Sequence, residues 1–187
     1  MFNVNKKSII HYLVCWGDIV KTSYMKMIPR KVFLAQGAGV HKQRIGSFEL
    51  ALRDAGIEGF NLVKVSSILP PHCELVSSEA GVKLLKPGQI VYCVMARNET
   101  IKSGELISAS IGLAFPEDEK IHGYVCEHTA CGVDSGDGAD TALNLAFEMY
   151  STKHGIEPGS KTLGIHQEAR GTGQGWTTVI AVAVFIP

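Results

Sequence analysis

The chain has 187 residues, 45% of them hydrophobic, which is enough to build and bury one domain-sized core. Lys plus Arg and Asp plus Glu number 18 each, so the net charge is zero, and no basic surplus argues for nucleic acid or an anionic membrane surface. The longest apolar run, residues 179–186, is too short for a membrane helix, which takes about 20 residues, and suits a buried strand.

Residues 1–24 read as a poorly ordered N-terminal extension ahead of a domain over residues 25–187. The apolar patch at residues 9–16 is interrupted by His11 and lacks a small-residue cleavage site, which argues against a signal peptide. Residues 31–36 predict a strand that stops at Gly37-Ala38-Gly39. Ser47 is the expected cap of a helix over residues 48–55, with Phe48, Ala51, Leu52 and Ala55 on one face and Gly56 as its stop. Residues 60–66 predict a strand that Pro70-Pro71 cannot continue. Residues 75–85 are ambiguous, with room for one short helix. A strand over residues 89–96 follows, then a polar loop at 97–104.

Further strands are expected over residues 105–115 and 121–128, then a polar loop at 132–138. Asp140 or Thr141 would cap a helix over residues 142–153, closed by Gly155, and Ala142, Leu145, Ala146 and Met149 form its apolar stripe. The last strands are expected over residues 161–168 and 176–186, separated by the glycine-rich loop 171–175. Strands dominate and β-α-β alternation is missing. The fold expected is therefore α+β, a layered αββα sandwich of mainly antiparallel strands in a single domain. The five cysteines, Cys15, Cys73, Cys93, Cys126 and Cys131, are odd in number and irregularly spaced, unlike a secreted disulfide framework, and point to the cytoplasm.

The segment that carries chemistry is Asn61-Leu62-Val63-Lys64-Val65-Ser66-Ser67-Ile68-Leu69-Pro70-Pro71. Pattern alone gives a strand ending in a turn. The segment resembles the self-cleavage region of the pyruvoyl-dependent arginine decarboxylases, and the likeness runs from about residue 31 to 153. It takes in residues 47–57, the Ser66-to-Pro71 segment, residues 108–114 and Gly123-Tyr124-Val125-Cys126-Glu127.

The chemistry accounts for the residue types. Decarboxylating an α-amino acid leaves charge on the α-carbon, which an electrophilic carbonyl can accept through a Schiff base. The resemblance implies that the chain makes this carbonyl itself. The Ser67 hydroxyl attacks the carbonyl of Ser66, the peptide becomes an ester, elimination leaves dehydroalanine, and hydrolysis releases ammonia and leaves a pyruvoyl group at position 67. Asn61 is implied in this self-processing as a donor to the developing oxyanion. The fragments would be residues 1–66 and 67–187.

Glu127 matches the family's proton donor, expected to be buried in an apolar strand. Glu49 stands where the arginine enzymes commonly place an aspartate for the substrate's guanidinium; the carboxylate is kept and its reach lengthened by a methylene. Leu52 and Gly59 are implied along the substrate cleft. The resemblance further implies an amino-acid substrate (arginine going to agmatine in polyamine synthesis) and a homotrimer, or a multiple of one, with sites between neighbouring protomers. No nucleic acid, membrane or metal is expected. His122, Cys126, His128 and Cys131 lack the close pairs of a structural zinc site, and Asp134, Asp137 and Asp140 fail calcium-loop spacing. Two alternatives stay open on sequence: the same cofactor acting on another amino acid, and an uncleaved relative that binds a ligand or zinc.

Overall fold

A computed structural model describes residues 28–132, 135–159 and 162–187. The expected extension at residues 1–24, Asp134 and the first residue of the strand expected over 161–168 lie outside the described residues. Among the described residues nine strands and three helices follow one another as β1 (Lys31–His41), α1 (Arg44–Asp54), β2 (Asn61–Lys64), β3 (Ile68–Leu69), β4 (Glu74–Leu75), α2 (Ser78–Lys83), β5 (Ile90–Thr100), β6 (Leu106–Ala114), β7 (Gly123–Cys131), α3 (Ser135–His154), β8 (Thr162–Arg170) and β9 (Trp176–Ile186).

The strands form two sheets, a five-stranded one in the order β2-β5-β9-β1-β4 and a four-stranded one in the order β3-β7-β6-β8. Antiparallel pairing dominates, while β2 beside β5 and β4 beside β1 run parallel. One apolar cluster joins Val94, Ala181 and Phe185 of the first sheet to Ile107, Ile111 and Val125 of the second. A second fills the space between the five-stranded sheet and α1, with Phe33, Met95 and Val182 packed on Ala51 and Ala55. A third sets Ala146 and Tyr150 of α3 on Ala114 and Cys126. The order is thus helix, sheet, sheet, helix, the αββα sandwich expected. Strand β9 lies at the middle of its sheet with both faces covered, which is why it reads as a continuous apolar run. Among the described residues no helix is long and apolar enough to cross a membrane.

Several boundaries differ from expectation, each for a packing reason. Strand β1 does not stop at Gly37 but runs on to His41. A Cβ at Gly37 would lie 2.3 Å from the Ala51 carbonyl oxygen, and one at Gly39 equally near that of Ser47, so the glycines let α1 rest directly on the strand. Helix α1 begins at Arg44, with Gln43 before it making no side-chain cap bond. Ser47, expected as the cap, lies one turn inside and fully buried; its hydroxyl bonds the Arg44 carbonyl at 2.8 Å and Thr178 Oγ1 at 2.7 Å. Helix α3 begins at Ser135 rather than beyond Asp140 or Thr141, and Thr141 Oγ1 donates inside the helix to the Asp137 carbonyl. Small β6 residues lie under its first turns: a Cβ on Gly138 would sit 2.9 Å from Ser110 Oγ, and one on Gly112 would strike the Ala142 backbone. Strand β5 extends into the expected polar loop as far as Thr100, where Arg97 pairs with Glu99. Cys126 and Cys131, five apart on β7, face opposite ways: Cys126 is buried 3.1 Å from Met149 Sδ, and Cys131 is exposed.

Candidate functional site

Ser66 and Ser67 span the gap between the two sheets. Upstream, β2 pairs with β5 up to Lys64↔Cys93, and the Val65 N–H still bonds the Cys93 carbonyl at 2.9 Å. Downstream, β3 joins the edge of the other sheet through Ile68↔Tyr124 and Leu69↔Gly123. Fully buried Leu69 anchors that end.

The crossing is made by a tight turn. The Ile68 N–H donates to the Ser66 carbonyl at 3.0 Å, closing a three-residue loop centred on Ser67. The Val125 N–H donates to the Ser67 carbonyl at 2.8 Å. The half-buried Ser67 is therefore held on both sides, while Ser66 is exposed. This arrangement suits a serine that attacks its own preceding carbonyl, because Oγ closes a five-membered ring on that carbon while the Ile68 N–H faces the oxygen on which charge develops. The Ile68 N–H is a functional group the sequence reading missed; no residue type announces a backbone donor.

Glu127 lies two residues beyond Val125 on β7, about 7 Å along the strand, on the face Val125 turns toward the inter-sheet core. It is exposed in the single chain, not buried as expected. The reason is topological. Strand β3 covers β7 only at Gly123 and Tyr124, leaving Glu127 beside an open edge. Burial pushes the Cys93 thiol up to about 11, with Lys64 pulling it back and Glu127 adding to the rise.

Asn61 lies elsewhere. It opens β2, its Nδ2 donates to the Gly88 carbonyl at 2.8 Å, and five near-extended residues carry the chain about 16 Å from there to Ser66. Within one chain its amide cannot meet the Ser66 carbonyl. Asn61 instead helps line a cavity of about 300 Å³ with Phe48, Leu52, Leu62, Lys64 and Arg97. Glu49 follows Phe48 on α1, half exposed, its Oε1 bonded by Arg53 Nε at 2.7 Å. Gly59 stands at the approach to β2, its carbonyl accepting the Gly88 N–H at 2.7 Å.

The expected residues thus fall into two groups, Ser66, Ser67 and Glu127 at one end of β2 and Asn61, Leu52, Glu49 and Gly59 toward the other. Beside the first group a cavity of about 410 Å³ is walled by Val65, Ser66, Ile68, Tyr92 and Phe185. A cavity of about 680 Å³ lies beyond Pro70 among Glu74, Glu117 and Leu163 and touches neither group, so size does not mark the site. Lys64, Arg97, Phe48 and Tyr92 were not anticipated. The alternation Arg97-x-Glu99 on a strand was the available signal for Arg97.

Known proteins share this arrangement of sequence. The family model described as pyruvoyl-dependent arginine decarboxylase matches residues 31–187. Pyruvoyl-dependent arginine decarboxylase 1 of Methanosarcina acetivorans is 48% identical over 162 residues, 86% of this chain and 98% of that protein. A probable pyruvoyl-dependent arginine decarboxylase of Chlorobium luteolum is 46% identical over 181 residues, covering 87% of this chain and all of the relative. The enzyme of Methanococcoides burtonii reaches 54% over 131 residues, 70% of this chain and 73% of its own length. With a tight serine turn at the sheet crossing and nearly full-length similarity to these relatives, the chain belongs to the pyruvoyl-dependent arginine decarboxylase family.

Proposed function

We propose that this chain cuts itself between Ser66 and Ser67, carries a pyruvoyl group at position 67, and decarboxylates L-arginine to agmatine in cytoplasmic polyamine synthesis. The observation that carries the reading is the turn centred on Ser67. The Ser67 side chain follows directly on the Ser66 carbonyl it would attack, and the Ile68 N–H donates to that carbonyl's oxygen at 3.0 Å, which supports the reading. Ser67 Oγ bonds to the Ser66 carbonyl carbon, the Ser66–Ser67 C–N bond breaks, and the proton passes to the Ser67 nitrogen. The domain, residues 25–187, stays whole after the cut, because β1 of the N-terminal fragment pairs along its full length with β9 of the C-terminal one. The relatives are named as arginine decarboxylases, which supports arginine as the substrate.

A pyruvoyl group at position 67 would supply an electron sink for the substrate's α-carbon. Glu127 returns a proton to that carbon. Asn61, Leu52, Glu49 and Gly59 belong to a neighbouring protomer's half of the site, since the span of β2 keeps Asn61 from its own Ser66. The assembly is a homotrimer of cleaved protomers, or a multiple of one, in which the neighbour also covers Glu127 and gives it the burial an acid requires. Glu49 forks onto the substrate guanidinium in place of Arg53.

Purified protein should give two masses, for residues 1–66 and 67–187, and the larger fragment of 187 − 66 = 121 residues should have a blocked N-terminus. It should trap borohydride and release labelled carbon dioxide from arginine in preference to other amino acids. Ser67→Ala should stay whole and inactive; carbon dioxide release by that variant would end the proposal.

A further inference from the structure

The cavity beside Asn61 has an electrostatic problem as a seat for a guanidinium. Two of its lining residues, Lys64 and Arg97, are themselves cations. Arg97 is held back by a residue outside the cavity. Its Nε donates to Glu99 Oε1 at 2.6 Å, and a second guanidinium nitrogen bonds the same oxygen. The Glu99 side chain is only 7% exposed. It also accepts from Arg44 Nε and, at 3.5 Å, from Thr178 Oγ1.

This pinning reaches the helix that carries the substrate residues. The Arg97 guanidinium carbon lies 3.8 Å from the Phe48 ring centroid. Phe48 immediately precedes Glu49 and lies one turn before Leu52. Arg44, the other arginine on Glu99, opens α1 and lies 5.4 Å from the Trp176 ring centroid. One nearly buried carboxylate therefore offsets the charge of a cavity cation, holds it over the Phe48 ring and ties the start of α1 to β5.

We infer that Glu99 is a positioning residue that sets the charge preference of the substrate cavity, restraining Arg97 so that a cationic side chain can enter and engage Glu49. This rests on the reading of that cavity as the substrate's. With Glu99 neutral, Lys64 and an unrestrained Arg97 would repel a guanidinium, and Arg97 would compete for Glu49.

The test compares L-arginine with L-citrulline, which carries a neutral urea of nearly the same shape. In cleaved Glu99→Gln enzyme the KM for arginine should rise about tenfold, with kcat and the inhibition constant of citrulline each within about twofold of the parent. Adding Arg97→Met to Glu99→Gln should bring the arginine KM back down. An equal loss for both compounds, or no change for either, overturns the inference. If Glu99→Gln does not accumulate, Glu99→Asp, which withdraws the carboxylate by one methylene, should weaken arginine alone; an equal effect on citrulline overturns it too. Leu52→Trp, which fills the cavity, separates the two readings. An unchanged KM there sinks the placement of the substrate, whatever Glu99 does.

Discussion

The about 16 Å between Asn61 and Ser66 has a sharp consequence when two defective chains are mixed. Take Asn61→Ala, which keeps Ser67, and Ser67→Ala, which keeps Asn61. Alone, the first should process slowly, since losing one oxyanion donor costs about 10²–10³ in rate. The second cannot process at all. Co-expressed in equal amounts in a cyclic oligomer, each Ser67-bearing chain has an even chance of a neighbour that supplies Asn61. About half of the Ser67-bearing chains, or about one quarter of all chains, should then be cut at the normal rate. Intact mass spectrometry on the co-purified mixture counts the fragments directly, with a silent mass tag distinguishing the chains. Were both residues drawn from one chain, mixing would rescue nothing. Cleavage in the mixture no faster than in Asn61→Ala alone would refute the divided site, and full-speed cleavage by Asn61→Ala alone would remove Asn61 from processing.

Glu127→Gln should be cleaved normally, since the Ser67 turn is held by backbone bonds, yet lose about 10²–10⁴ in kcat, read by carbon dioxide release. Gly37→Ala sets a methyl 2.3 Å from the Ala51 carbonyl oxygen and 2.7 Å from the Ala55 nitrogen, so α1 must shift. A cost of about 1–3 kcal/mol is expected in denaturant titration, and wild-type stability would show that the helix was free to move. Burial raises the Cys93 thiol from its ordinary 9.0 to about 11. The raised value means that folding favours the protonated form, so this stability is fully present below about pH 9 and lost as the pH climbs to about 11. It amounts to about 3 kcal/mol at most. Cys93→Ala should flatten that part of the stability–pH curve; an unchanged slope would show that Cys93 is not the group titrating.

Much of the fold was readable residue by residue. Strand β9 occupies the residues the pattern marked, 176–186, because a strand covered on both faces has no polar side to blur its ends. Gly56 closes α1 with a left-handed backbone, as expected of a glycine at that place. Where the reading slipped, a neighbour distant in sequence had changed the meaning of a residue. Gly37 looked like a stop because glycine weakens an isolated strand, yet here it is the clearance that α1 needs. Gly138 argued for a loop on propensity and lies in a helix because it fits against Ser110. Arg97 and Glu99 looked solvated and are instead partners on one strand face.

The site divides in the same way. Local order along the chain set down the serine pair, the prolines that stop the strand, and the acid on an apolar strand, because adjacent atoms and alternating faces are properties of the chain itself. Which of these groups meet was decided only in three dimensions. Asn61 and Ser67 are six apart in sequence, yet Asn61 opens β2 and Ser67 sits in the turn beyond its far end, because an extended backbone turns small numbers of residues into large distances. The exposure of Glu127 likewise followed from how little of β7 the two-residue strand β3 can cover.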